Sequence, residues 1–310
     1  MRRNTNTIGK WQRGIVALAL CLGCSVAAAD TELETGVEAG AVAPSRPGVL
    51  TGLGEMALSK AYPDEAVWLT VDSDDRVLGL LFGERILPAK GALMILPEAG
   101  ETAASGVAGS LAQHLADKGW AVLTVGLEAP SSSLQAVLER KSEASEEASE
   151  TDTVEATSLE VDIRVEDPAE KPEAVYRERI KKTLQAGLTA LANRGYERPA
   201  LLAIGRTSNY ITDLPSAGEN LRAMIWIAPV FYTRDKAALA DRLTESGVSA
   251  VLELYDSKKT DKASAKQRAV ILRQAGINGY ERQPVALLQP PSIDDAPGLA
   301  NRIDAWLLSQ

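Results

Sequence analysis

Two hydroxyls and one carboxylate stand where this chain could do acyl-transfer chemistry. Gly205-Arg206-Thr207-Ser208-Asn209 follows the apolar run ALLAI, and Asp256 closes the run VLELYD. A hydroxyl on a tight strand-to-helix turn and a carboxylate at a strand end are two parts of a nucleophilic triad; the third is an imidazole that takes the nucleophile's proton and passes it to the leaving group. The chain holds one histidine, His114. It lies in the amphipathic stretch SGVAGSLAQHLADKG, one helical turn past Leu111, where it reads as a partly buried boundary residue and not as a base. Without a base, the hydroxyls of Thr207 and Ser208 stay protonated at neutral pH.

The elements that must position these groups are legible from hydrophobic period. GEMALSKAY reads as a helix. AVWLTVD and RVLGLLFGE, split by Ser73-Asp74, read as an antiparallel hairpin. GALMILP (91–97), WAVLTVG (120–126), ALLAIG (200–205), AMIWIAP (223–229), VSAVLELY (248–255) and PVALL (284–288) are continuous apolar runs, the mark of parallel strands covered on both faces. Helices are expected at 105–119, 173–194, 234–246, 262–275 and 295–308. The predicted fold is α/β: a doubly wound, mostly parallel sheet with a leading antiparallel hairpin, forming a single domain over 54–310. Asp72, Asp74 and Asp75 lack the central glycine and the twelfth-position glutamate of a calcium loop, and read as a solvated turn.

Arg2, Arg3, Lys10 and Arg13 precede the apolar run GIVALALCLGCSVAAA, which predicts a signal peptide over 1–29, cleaved after Ala29, and a periplasmic or secreted mature chain without a transmembrane span. Both cysteines, Cys21 and Cys24, fall inside that signal; lipidation at Cys24 is the minor alternative. Residues 30–53 read as a flexible leader. The net charge is −9, and loss of the four signal cations leaves −13. Residues 142–170 hold eleven carboxylates and one arginine, so the acidity sits in one insert, predicted disordered. No basic stripe exists for nucleic acid.

The order of hairpin, GALMILPEAG, a helix ending DKGW, AVLTV, and LLAIG at a turn into a helix resembles the α/β-hydrolase superfamily. More narrowly it resembles the bacterial envelope proteins grouped as domain-of-unknown-function family 3530. The resemblance implies a Gly-x-Ser-x-Gly elbow with the nucleophile at Thr207, counted from Gly205, and Asn209 in place of the last glycine. Ser208 carries a hydroxyl one position late and otherwise serves as the cap of the following helix. The resemblance also implies that Asp256 is the acid, and that a base should lie beyond the eighth strand, in QPPSIDD, where no histidine occurs. In the oxyanion loop it finds Pro97-Glu98-Ala99-Gly100, which lacks a donor at the proline and adds a negative charge. Glu98, Gly100 and Asn209 are the expected crevice residues. No zinc set, phosphate loop or dinucleotide fingerprint is present, so neither cofactor nor metal is expected.

The expected function is therefore that of an exported pseudoenzyme, a non-catalytic binder of a small molecule or an envelope protein. The alternative is a weak or atypical esterase using Ser208 or Thr207 with Asp256, activated by Lys258, Lys259 or a carboxylate-held water. A third reading has the acidic insert holding divalent cations loosely.

Overall fold

The apolar runs of the sequence become neighbouring strands of one sheet. The computed structural model describes residues 54–73, 75–140, 170–214 and 220–310. Within them lie β1 (Ala66–Thr70), β2 (Arg76–Phe82), β3 (Gly91–Leu96), β4 (Trp120–Val125), β5 (Ala200–Ile204), β6 (Ala223–Ile227), β7 (Val251–Asp256) and β8 (Tyr280–Val285). Their spatial order is β1-β2-β4-β3-β5-β6-β7-β8. β2 runs against both of its neighbours, and every other pair is parallel. This is the doubly wound α/β-hydrolase arrangement with its leading antiparallel hairpin.

Among the described residues eight helices flank the sheet: α1 (Glu55–Ala61), α2 (Gly106–Ala116), α3 (Ser132–Glu139), α4 (Glu170–Ala192), α5 (Ser208–Ile211), α6 (Thr233–Ser246), α7 (Lys259–Gln274) and α8 (Ala296–Leu307). Successive strand residues face opposite sides. Leu93, Ile95, Leu202 and Ile204 pack with α2 and α8, while Met94, Leu96, Leu201 and Ala203 pack with α3, α4, α6 and the Tyr210-Ile211 end of α5. β3, β4, β5, β6 and β7 are buried at almost every position because both layers cover them.

Three features differ from the sequence expectation. The last strand lies at 280–285 and not at 284–288; it is an edge strand, half exposed, and its polar YERQ hides it from a hydrophobic reading. α3 is additional, and its first turn is capped by Ser131, whose hydroxyl accepts from Leu134 N at 3.3 Å. The turn after β1 is not simply solvated: Lys182 Nζ donates to both Asp72 oxygens at 3.0 Å, and Arg179 Nε to Asp75 at 3.0 Å, tying the hairpin to α4. Asp74, the signal at 1–29, the leader at 30–53 and the insert from 142 to 169 lie outside the described residues; Glu170, the last residue expected in the insert, opens α4. No helix among the described residues is long and apolar enough to cross a membrane.

Parallel register brings the carboxyl ends of β3, β5, β6, β7 and β8 to one edge. Leu96 pairs with Ala203, Ile204 with Ile227, Ile227 with Leu254, and Asp256 with Val285. The segments that leave these ends carry Glu98, Gly205, Ala228, Asp256 and Gln289.

Candidate active site at the carboxyl edge

The chain turns sharply where β5 ends. Gly205 has φ +63°, a left-handed conformation that suits glycine, and a 3₁₀ turn over Gly205–Thr207 then leads into α5. In a strand-turn-helix elbow the strained apex is the nucleophile's own position, and the N–H of the next residue faces the developing oxyanion. The apex here is Gly205, two residues before the Thr207 counted from the sequence pattern. Thr207 has φ −65° and no elbow strain.

What stands at the apex is a carboxylate from the next strand. Glu98, two residues past the end of β3, accepts the Arg206 N–H at 3.0 Å on Oε2 and 3.2 Å on Oε1. A Cβ built on Gly205 would run into Glu98 Oε2 and on to its carboxyl carbon. Glu98 therefore fills the volume of a nucleophilic side chain and takes the backbone donor an oxyanion would need. Burial pushes its pKa above the ordinary carboxylate value, opposed in part by the N–H groups of Arg206 and Ala99. The Arg206 guanidinium turns away to Glu139, at 2.9 Å.

The predicted hydroxyls lie elsewhere. Thr207 is fully buried; its hydroxyl accepts from Ile204 N at 3.1 Å and donates to Ile204 O at 2.7 Å, closing the turn on itself. Ser208 is fully buried too. It is the first residue of α5, not its cap, and its Oγ has no hydrogen-bond partner among the described residues. His114 lies in the last turn of α2, in the layer opposite α5, and neither Thr207 partner is an imidazole.

Asp256 closes β7, is 2% exposed, and accepts from Gln289 Nε2 at 3.1 Å and from Lys258 N at 3.4 Å, with Lys258 Nζ at 3.5 Å. Gln289 comes from the loop after β8, where the base of a Ser…Asp…His chain order would stand, and it makes the hydrogen bond to the acid that an imidazole would make. Gly205, Gln289 and Asp256 thus meet at one cavity, and of the three only Asp256 has a side chain of the kind a triad's acid requires.

Of the three expected crevice residues, Glu98 lines a cavity of about 370 Å³ at this edge, together with Gly205, Ala228, Val230, Phe231, Lys236, Tyr255, Asp256, Arg268 and Gln289. Asn209 does not line it, and this corrects its assignment to the crevice: its amide is buried, donating to Arg206 O at 2.6 Å and Val230 O at 2.9 Å and accepting from Tyr232 N at 3.0 Å, which pins the elbow to the loop after β6. Gly100 does not line it either; it is exposed at φ +93°, and its N–H is spent on Leu127 O at 2.7 Å.

Sequence reasoning missed Gly205 as apex, Gln289, and the buried group beneath the cavity. There Glu253 of β7, fully buried, is held by Arg268 Nε at 2.9 Å, by Arg268 Nη2 and by the Tyr280 hydroxyl. The signal for Gly205 was available: glycine is the one residue of GRTSN at ease with positive φ. Ala228 also holds a positive φ, +45°, a local strain on the cavity wall. Among the described residues no group of three or more His, Cys, Asp or Glu side chains is set to hold a metal ion.

Comparison with known proteins adds the following. Solved structures similar to the chain include a dienelactone hydrolase-like promiscuous phosphotriesterase from metagenomic libraries, with 13% identity, a TM-score of 0.49, and coverage of 79% of this chain and 96% of the other. The esterase domain of a Rhodothermus marinus protein matches at 12% identity and a TM-score of 0.48, covering 78% of this chain and 96% of its own. Est1E from Butyrivibrio proteoclasticus matches at 9% identity and a TM-score of 0.48, over 79% of this chain and all of the other. No curated protein sequence matches. The chain belongs to the family described as protein of unknown function DUF3530, whose pattern covers residues 14–309.

Proposed function

We propose that this chain is an exported α/β-hydrolase-fold protein that binds a small molecule in the carboxyl-edge cavity and does not catalyse acyl transfer. The observation that carries this reading is the Glu98 carboxylate seated on Gly205 and hydrogen-bonded by Arg206 N–H. A substrate carbonyl brought to that point meets a carboxylate where it needs a nucleophile and a positive donor. The base position adds to the case, since the Gln289 amide does not take up a proton at neutral pH. An esterase using Thr207 or Ser208 requires a hydroxyl that reaches substrate, and both are fully buried beneath the turn.

The test is active-site labelling. Purified mature protein is incubated with a fluorophosphonate probe and its intact mass is measured. The expected result is no adduct and no turnover of short-chain p-nitrophenyl esters above a heat-inactivated control. A stoichiometric adduct on Thr207 or Ser208 overturns the reading. Export is tested separately by N-terminal sequencing of the periplasmic protein, which is expected to begin at Asp30.

A further inference from the structure

Two carboxylates line the cavity, and their surroundings differ. Asp256 has Lys258 Nζ at 3.5 Å and the Gln289 amide at 3.1 Å. Glu98 has no cationic side chain within ion-pair distance among the described residues; its partners are backbone N–H groups, and the neighbouring Arg206 guanidinium is engaged by Glu139. The Arg206 charge favours the ionised form, but burial outweighs it. A carboxylate withdrawn from water without a directly paired cation is the costly member of a polar site, and a cation placed beside it stabilises it.

The donors of the site point the same way. Arg206 N–H, which would serve a carbonyl or an oxyanion, is already bound to Glu98. A ligand entering with a carbonyl, carboxylate or phosphate therefore faces acceptor lone pairs at the floor of the cavity. The cations that line it are otherwise engaged. Arg268 is paired with Glu253 through Nε and Nη2, and Lys236 is solvent-exposed, where screening weakens its field. Pro229, Val230, Phe231 and Pro290 supply apolar wall.

We propose that the cavity binds a small organic ammonium ion, with a protonated primary amine placed between Glu98 and Asp256 and an aliphatic or aromatic body lying on Val230 and Phe231. This rests on the ligand-binding reading above and adds the chemical class of the ligand. It makes binding acid-sensitive: protonation of Glu98 removes the charge the ammonium meets. The other titratable groups around Glu98 are Glu101, Arg206 and Tyr232 nearby, and Lys236, Tyr255, Asp256 with its neighbour Lys258, and Arg268 across the cavity.

The experiment titrates the mature protein calorimetrically with benzylammonium, benzyl alcohol and benzoate, three probes with the same body and different heads. Benzylammonium is expected to bind saturably and about tenfold or more tightly than the other two. Glu98→Gln is expected to lose about tenfold of that affinity, while Asp117→Asn, an exposed carboxylate paired with Arg85, leaves it unchanged. In the unaltered protein the affinity falls as pH drops into the carboxylate range, a readout that does not depend on how well the variant folds. Preference for benzoate, no saturable benzylammonium binding, or equal affinity in Glu98→Gln each overturns the proposal. None of these results bears on the non-catalytic reading, which the fluorophosphonate experiment decides on its own.

Discussion

The Glu98 carboxylate lies over Gly205, in the volume that a side chain on residue 205 would fill. Gly205→Ala should therefore carry two costs, about 1–2 kcal/mol for a left-handed alanine and about 1–3 kcal/mol for overpacking against Glu98. Glu98→Ala removes the second. Urea unfolding of both single variants and the double variant should give a favourable coupling of about 1–3 kcal/mol. Additive losses would mean that the two residues do not compete.

The raised pKa of Glu98 fixes the sign of a pH effect on stability. Its folded-state value lies above the ordinary 4.5, so between the two values the folded protein binds more protons than the unfolded chain. Stability contributed by this site then falls as pH rises through that window, and the ionised form opposes folding above it. Relative to Glu98→Gln, the unaltered protein should gain stability on acidification from neutral pH toward the ordinary carboxylate value. Chemical denaturation of both proteins at matched pH values checks this; a difference that is flat, or of opposite slope, rules out a desolvated Glu98.

The parallel core was legible because burial on both faces writes itself as uninterrupted apolar residues, as in GALMIL, WAVLTV and AMIWI. The edge strand β8 was not, because its exposed positions carry Tyr, Glu, Arg and Gln like a loop. Asp256 could be placed at a strand end from VLELYD alone. The motif count and the backbone differ at the elbow by two residues because a motif anchored on Gly205 as its first glycine says nothing about where β5 stops; the strand ends at Ile204, and that puts the positive φ on Gly205 itself. The seating of Glu98 on Gly205 joins residues more than a hundred positions apart and follows only from the β3–β5 register.

The buried group under the cavity should behave as an indivisible unit. Glu253 is fully buried and paired with Arg268 and Tyr280. Arg268→Met leaves that carboxylate uncompensated and should cost about 3–5 kcal/mol. Arg268→Met combined with Glu253→Leu should recover most of the loss. Guanidinium unfolding of the two variants checks it, and a loss below about 1 kcal/mol for Arg268→Met would show that Glu253 is satisfied without its arginine.

A proposed equivalence of Gly205, Gln289 and Asp256 to a nucleophile, a base and an acid makes a stronger demand on the scaffold. If the 3.1 Å Gln289–Asp256 contact marks the base-to-acid bond, then Gln289→His places an imidazole that Asp256 can orient. Gly205→Ser supplies a hydroxyl at the strained apex, and Glu98→Gly clears the volume and frees the Arg206 N–H for an oxyanion. The members of a triad act as a unit, so no single change should matter. The triple variant, provided that its circular dichroism matches the parent, should form a fluorophosphonate adduct at residue 205 and hydrolyse a short-chain p-nitrophenyl ester at least about tenfold faster than the parent. A folded triple variant that forms no adduct would overturn the assignment of Gly205 to the nucleophile position.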